Sequence, residues 1–594
     1  MSAISVGERR DPVGIVGCGT MGSGIAEASA LAGHEVVVLV LDDEHEARGR
    51  ELIGESLRRS VEANRLTDEE REAALARIAF ATEAGALASA GIVIEAVPER
   101  LDTKRAVFEE IGRAAPEAVL ATNTSSLPVI RVAAAAGDPG RVVGLHFFNP
   151  APAMRVVELA LSIATNAGVA ARARAFAEEL GKTVVECRDR AGFIANLLLF
   201  PYLNDAVRLL DQGSASRDDI DAAMRLGAGH PMGPLELVDL IGLDACLEIL
   251  ESLHQQFAEP RFAPAPALRE LVVAGFTGRK AGRGFYDHAG EVRPPSVAGG
   301  GSETGGGEPR IVGVVGTGTV GAGIAEVAAR AGLAVTCWGR SEDSVGRARA
   351  AVVRSAARAV ERGKLEPEAR DDLLSRIRFT TRLEDLSSCD VVVEAVAEDL
   401  EVKRDLFARL GAVASPSAVL ATATSSLPVV EMAAASGRPD RVVGFHVFNP
   451  VPVMRLVEVV RTAATSDDTA SAAEALARRI GKTVVRCRDR AGFIVNRLLF
   501  PYLNDAARMV EERYASVEDI DTVMTLGCRH PVGPLALMDI VGLDVTVEIL
   551  RSLHRELHEP AHAPVPLLEQ MVGAGFLGRK AGRGFRTEEA GRGA

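Results

Sequence analysis

The chain is written twice. Residues 13–285 return at 312–585, at a shift of 299 that grows to 300: TSSLPV (124–129) recurs at 424–429, RDRAGFI (188–194) at 488–494, LLFPYLNDA (198–206) at 498–506 and GRKAGRGF (278–285) at 578–585. A period this long exceeds by far the roughly 20–50 residues of a solenoid repeat, so each copy must close its own core. At 594 residues there is room for roughly four domains of about 150 residues, two per copy.

Composition narrows the class. Hydrophobic residues make up 47% and charged residues 25%, ordinary for a globular chain, and the net charge of −14 argues against nucleic-acid backbones as partners. The opening MSAISVGERRDPVGIVG lacks the apolar stretch of a signal peptide, and no run approaches a membrane span, so a cytoplasmic protein with no membrane partner is expected. Seven cysteines (18, 187, 246, 337, 389, 487, 528) form no CxxC pair. They read as reduced, buried thiols, with no zinc site.

Lysine usage is skewed: seven lysines stand against sixty arginines, and six of the seven fall in matched pairs, Lys104/Lys403, Lys182/Lys482 and Lys280/Lys580. Two readings stand: inheritance through duplication, or sites that need a compact ammonium on a flexible stem, which Arg does not imitate.

Up to about residue 187, short β-branched runs (VGIVG, HEVVVLVL, GIVIEAV, AVLATN, RVVGLHFF, TVVEC) alternate with amphipathic helical text, which predicts a mostly parallel, doubly wound sheet. Beyond it, helical periodicity takes over, as in AGFIANLLLFPYLNDAVRLLDQG. The expected domains are therefore 1–187 (α/β), 188–286 (all-α), a Gly/Pro/Ser-rich linker 287–310, 311–487 (α/β) and 488–594 (all-α).

Gly17, Gly19 and Gly22 form a GxGxxG between the strand VGIV and a helix, and Gly316, Gly318 and Gly321 repeat it after VGVV. In that setting the glycines let a backbone approach a pyrophosphate at a helix N-terminus, the mark of dinucleotide binding. The acid that commonly ends the second strand and holds the ribose is displaced. Val40 stands there with Asp42 two residues later, and the second copy has Gly339 followed by Arg340-Ser341, a pair able to accept a 2′-phosphate. NAD versus NADP stays open in each copy.

His146 ends VVGLHFF, with Asn149-Pro150 and then Glu158 beyond it; His446, Asn449-Pro450 and Glu458 follow the same spacing. An Asn-Pro turn can fold the second run back beside the first and bring the Glu to the His. A carboxylate on one ring nitrogen fixes the tautomer and raises the basicity of the other, as proton removal from a secondary alcohol requires.

These segments, with GCGTMGSGIA, EAVPERLDTKRAVF, TNTSSL, HFFNPAPAMRVVEL, DRAGFIAN, GHPMGPLELVDLIGLD and GRKAGRGFY, closely resemble the L-3-hydroxyacyl-CoA dehydrogenases, over nearly all of both copies. The resemblance implies a Rossmann-type dinucleotide-binding domain followed by a helical domain in each copy. It implies reversible hydride transfer between a (3S)-hydroxyacyl-CoA, short-chain and 3-hydroxybutyryl-like, and NAD or NADP. His146 and His446 would be the general bases, oriented by Glu158 and Glu458, with Ser125, Asn196, Ser425 and Asn496 on the substrate oxygen. Met21, Glu99, Lys104, Asn149 and Lys280, with Val320, Glu398, Lys403, Asn449 and Lys580, match cofactor-contacting positions; Lys182 and Lys482 are left as surface caps. Ser56 and Ser355 match a CoA-contacting serine, whose basic partner seven residues on is Ala63 in the first copy and Arg362 in the second. Asn123 becomes Ala423, which removes a polar group expected near the second nicotinamide. A dehydrogenase of another 3-hydroxy acid or of a carrier-bound acyl group, and one copy serving only for dimerisation, are the alternatives. The family pairs through its helical domains, so the two copies are expected to face each other within one chain, through NLLLFPYLNDAVRLL and NRLLFPYLNDAARMV.

Overall fold

The computed structural model describes residues 10–288 and 309–586. Residues 1–9, part of the stretch read as leaderless, and 289–308, most of the linker, lie outside it. The first copy is followed to His288, two residues into the linker read from sequence, where the His288 ring bonds the buried Asp239 carboxylate at 2.8 Å.

The first copy's strands are β1 (Val13–Val16), β2 (Val36–Leu39), β3 (Ile78–Ala81), β4 (Ile92–Glu95), β5 (Val119–Thr122), β6 (Val142–Phe147), β7 (Val156–Leu161) and β8 (Thr183–Arg188). They form one sheet in the order β3-β2-β1-β4-β5-β6-β7-β8, the reversal beside β1 marking a doubly wound sheet. Strand pairs are parallel except β6–β7, which are antiparallel with His146 opposite Glu158. Strands β1, β4 and β5 are buried at every position, as expected for strands covered by helices on both faces. The second copy repeats this with β9 (Ile311–Val315), β10 (Ala334–Trp338), β11 (Ile377–Thr380), β12 (Val391–Glu394), β13 (Val419–Thr422), β14 (Val442–Val447), β15 (Leu456–Arg461) and β16 (Thr483–Arg488), in the matching order and with His446 opposite Glu458.

After β8 and β16 the chain is helical, beginning with Ala195–Asp211 and Val495–Glu511. These two helices lie against each other, and one continuous apolar cluster includes residues of both. Tyr202 and Tyr502 meet at 6.1 Å between ring centroids, and the His230 and His530 rings stack at 4.1 Å. Arg261 pairs with Asp505, and Arg190 with Glu512 at 2.7 Å. The contact also reaches the sheets: the Arg488 amide donates to the Ser214 carbonyl at 2.9 Å, and the helix Arg217–Gly227 packs on β15 and β16.

All seven cysteines are free, six of them buried and Cys528 half-buried. Among the described residues no helix is long and apolar enough to cross a membrane.

Candidate active site

The His–Glu pair of each copy is built by register. His146 Nδ1 lies 2.6 Å from Glu158 Oε2, and His446 Nδ1 lies 2.5 Å from Glu458 Oε2. Glu158 is fully buried, and its other oxygen accepts from the Ile194 and Ala195 amides, both at 2.9 Å. Those amides belong to the AGFIAN turn. There Gly192 has φ +84° and Phe193 φ +47°, a left-handed pair that turns two successive N–H groups onto the carboxylate. The second copy does the same with Gly192's counterpart Gly492, Phe493 (φ +54°) and the Ile494 and Val495 amides. Phe148 and Phe193 flank the His146 ring at 5.1 and 5.7 Å.

The TSS loop is clamped. Glu99 Oε1 accepts from the Thr124 hydroxyl (2.6 Å) and from the Ser125 and Ser126 amides (2.9 Å each), while Ser125 Oγ stays 3.4 Å away. The Asn196 amide donates to the Ser125 carbonyl at 3.0 Å, tying the helical domain to the loop. Glu398, Ser425 and Asn496 repeat this arrangement. Burial works against Glu99's charge, but Lys104, the Thr124 hydroxyl and the loop amides hold its carboxyl below the ordinary value, and Glu398 likewise with Lys403.

Lys104 and Lys403 are 1% exposed. Lys104 Nζ donates to Glu95 at 2.7 Å and sits 3.2 Å from Glu99, so it anchors the acid that holds the loop and turns no face to open space. Glu95 itself, with Glu394, was missed in sequence. It ends β4, is fully buried, and accepts from Lys104, the Thr122 hydroxyl and the Val97 amide. Burial pushes its carboxyl up, opposed chiefly by Lys104. The available signal was a carboxylate closing an otherwise apolar strand run in both copies.

Lys182 and Lys482 are not surface caps. Both are 8% exposed. Lys182 donates to the Ala151 and Met154 carbonyls at 2.7 and 2.8 Å, and Lys482 to the Val451 and Met454 carbonyls. They staple the turn that joins the histidine strand to the glutamate strand, because carbonyls crowded into that turn need a buried donor. Asn123 also differs from expectation: its side-chain oxygen accepts from the Phe147 amide at 2.9 Å, steadying the end of β6, and Ala423 offers no acceptor there.

The glycine loops fit a dinucleotide. Gly17 has φ +94°; a Cβ on Gly22 would lie 2.0 Å from the Gly17 carbonyl oxygen, while a Cβ on Gly19 would meet nothing within 4 Å. One glycine makes the turn, one allows the helix to close on the strand, and the middle one leaves open a cradle before the helix Thr20–Leu31. Gly316 (φ +125°), Gly321 and Gly318 divide the roles identically. Met21 and Val320 are half-buried in the first turns of these helices. Asp42 caps the helix Asp43–Glu62 by accepting from the His45 amide, and the Ser341 hydroxyl caps Glu342–Glu361, so it is spent on the helix. Arg340 beside it is exposed. Asn149 and Asn449 are exposed at the turn beyond the histidines. Lys280 and Lys580 pair with Asp244 and Asp544 on the helical domains. Ser56 and Ser355 lie beside the buried carboxyls of Glu27 and Glu326, which burial pushes up and the serine hydroxyls oppose.

Residues 12–190 and 311–490 match the profile of the 3-hydroxyacyl-CoA dehydrogenase NAD-binding domain, and 192–288 and 492–588 match that of the 3-hydroxyacyl-CoA dehydrogenase C-terminal domain. The chain belongs to the 3-hydroxyacyl-CoA dehydrogenase family. Membership makes it an oxidoreductase with two NAD-binding domains. A 3-hydroxybutyryl-CoA dehydrogenase of Mycobacterium tuberculosis is 51% identical over 278 residues, covering 46% of this chain and 97% of its own. The 3-hydroxyadipyl-CoA dehydrogenase of Escherichia coli K12 is 31% identical over 562 residues, covering 94% of this chain and 96% of its own. A crystal structure of 3-hydroxybutyryl-CoA dehydrogenase from Escherichia coli superposes with a TM-score of 0.70 at 29% identity, over 95% of this chain and 99% of that one. The doubled arrangement is thus shared with full-length relatives, whereas the first relative spans one copy.

Proposed function

We propose that each copy is a working 3-hydroxyacyl-CoA dehydrogenase site, acting on short-chain (3S)-hydroxyacyl thioesters. The observation that carries this reading is the pair His146–Glu158, repeated as His446–Glu458 with the same register and the same two amides behind the glutamate.

A nicotinamide dinucleotide cradled by Gly19 or Gly318 supplies the hydride acceptor or donor. In the oxidising direction His146 Nε2 takes the proton of the C3 hydroxyl. Glu158, bonded to Nδ1, fixes the tautomer and offsets the positive charge the ring gains. Ser125 Oγ, held only loosely by Glu99 at 3.4 Å, and the second N–H of the Asn196 amide are available to donate to the C3 oxygen. They favour the carbonyl's polarised form in the reducing direction. Phe148 and Phe193 shield the imidazole from water.

The two copies differ in cofactor preference, the second being the more tolerant of NADP through the exposed Arg340. The chain is its own pseudo-dimer, the two helical domains taking the place of two subunits, a reading supported by the contact between Ala195–Asp211 and Val495–Glu511. Free, mostly buried thiols fit a reducing, cytoplasmic setting. Reduction of acetoacetyl-CoA by NADH, and oxidation of (3S)- but not (3R)-hydroxybutyryl-CoA, test the reading; turnover of the opposite enantiomer, or of neither, would contradict it.

A further inference from the structure

Each His–Glu pair has close neighbours in the other copy. The helix Val517–Leu526 of the second copy packs on β7, the strand that carries Glu158, and on β8. The helix Arg217–Gly227 of the first copy packs likewise on β15, which carries Glu458, and on β16. The contact reaches the last strand of each sheet: the Arg188 amide donates to the Tyr514 carbonyl at 3.4 Å, and Ala215 forms an antiparallel bridge with Cys487.

Both helices finish at a glycine with no room for a side chain. A Cβ on Gly227 would lie 2.7 Å from Val495 Cγ2 and 3.0 Å from Leu456 Cδ2. Val495 supplies one of the two amides that hold Glu458, and Leu456 opens the strand of that glutamate. A Cβ on Gly527 would lie 2.9 Å from the ring of Phe148, which flanks His146. Gly527 has φ −85°, a conformation open to any residue, so the requirement there is space. Beyond the glycines the two turns meet, where His230 and His530 stack at 4.1 Å. Cys528, the residue after Gly527, also senses the first copy's site: burial, and then the charge of Glu158, push its thiol up.

We propose that Gly227 and Gly527 are positioning residues for the opposite copy. Gly527 lets the second copy back the aromatic wall of the His146 site, and Gly227 lets the first copy back the turn that holds Glu458. Each site keeps its own base and cofactor loop, yet neither is complete without the helix end of the other copy. This rests on the dehydrogenase reading above and adds to it residues from across the junction.

Single-site backgrounds of the full chain test the crossing. In His146→Gln, where the second copy turns over, Gly227→Ala should lower kcat for acetoacetyl-CoA about tenfold with KM little changed; a misplacement of about 1 Å already costs about 10²-fold. In His446→Gln, where the glycine's own copy works, the same substitution should leave kcat as it was. Gly527→Ala should do the reverse, slowing the His146 site and sparing its own, although its methyl would also crowd the Val523 carbonyl of its own helix at 2.6 Å. Val495→Ala should restore the rate to Gly227→Ala, since one methyl is removed where another is added. Alanine is what the first copy carries at that place, as Ala195. Losses confined to the substituted copy's own site, equal losses at both, unchanged rates throughout, or no rescue by Val495→Ala would overturn the proposal.

Failure of the unmodified chain to reduce acetoacetyl-CoA would instead bring down the dehydrogenase reading. The crossing is then decided without turnover, by NMR titration of the imidazole nitrogens. His146 should titrate differently in Gly527→Ala and His446 in Gly227→Ala; changes only in the substituted copy's own histidine, or none, would overturn it.

Discussion

Glu158 faces His146 across an antiparallel strand pair and is held from behind by two amides of a left-handed turn, so the carboxylate is fixed before any substrate arrives. The histidine therefore has one tautomer imposed on it, with Nε2 as the free nitrogen.

Glu158→Gln should lower kcat at the first site more than it raises KM, because the base and not the binding surface is damaged. Measured in a His446→Gln background, the loss should approach the roughly 10²–10⁴-fold attributed to a positioned general base, and the pH–rate profile should shift. A pure KM effect would assign Glu158 a binding role.

The glycine loop separates fold from function. Gly19→Ala adds a methyl to open space, so stability should move by no more than about 0.5 kcal/mol, while NADH affinity in the first copy falls about tenfold or more. Gly22→Ala forces a methyl to 2.0 Å from a carbonyl oxygen and should unfold the loop itself. Thermal melts and NADH titration of the two variants distinguish the cases; an unchanged affinity in Gly19→Ala would move the cofactor elsewhere.

Lys104 neutralises two acids inside the protein. Its replacement by Met leaves Glu95 buried without its cation, which should cost about 3–5 kcal/mol in urea unfolding. Stability near that of the unmodified chain would mean that Glu95 takes up a proton without penalty.

The His230–His530 stack makes the junction between copies acid-sensitive. Burial, first of all, pulls His230 down to about 4 and His530 to about 3, against 6.5 for a free ring, the neighbouring ring adding to the effect at His530. Below pH 6.5 the unfolded chain binds more protons here than the folded one. Stability therefore falls as pH drops from 6.5 towards 4, by about 1.4 kcal/mol per unit for each ring. Half-buried Asp205 and buried Asp221, both pushed up to about 6 by desolvation, act in the opposite sense in the range between their ordinary value and 6. The contribution is thus read as the difference in slope between the unmodified chain and His230→Gln/His530→Gln. Identical slopes would show that the rings protonate as readily folded as unfolded.

Much of this was legible in sequence because duplication repeated each local signal. The alternation of strand and helix, the glycine loop and the His-to-Glu spacing depend on near neighbours and on a two-residue strand period, so text alone placed Glu158 beside His146. What escaped were long-range polar contacts. Nothing adjacent in the chain shows that Lys182 meets carbonyls some thirty residues before it, that Asn123 holds the amide of Phe147, or that Glu95 and Lys104 share a charge with Glu99.

The most direct test is the steady-state rate of acetoacetyl-thioester reduction by NADH in His146→Gln, His446→Gln and the double variant, each with the CoA and pantetheine forms. Two independent sites predict that each single variant keeps turnover and that the double variant loses about 10²-fold or more. A double variant that retains most of the activity, or one single variant that abolishes it with both thioesters, would contradict the account.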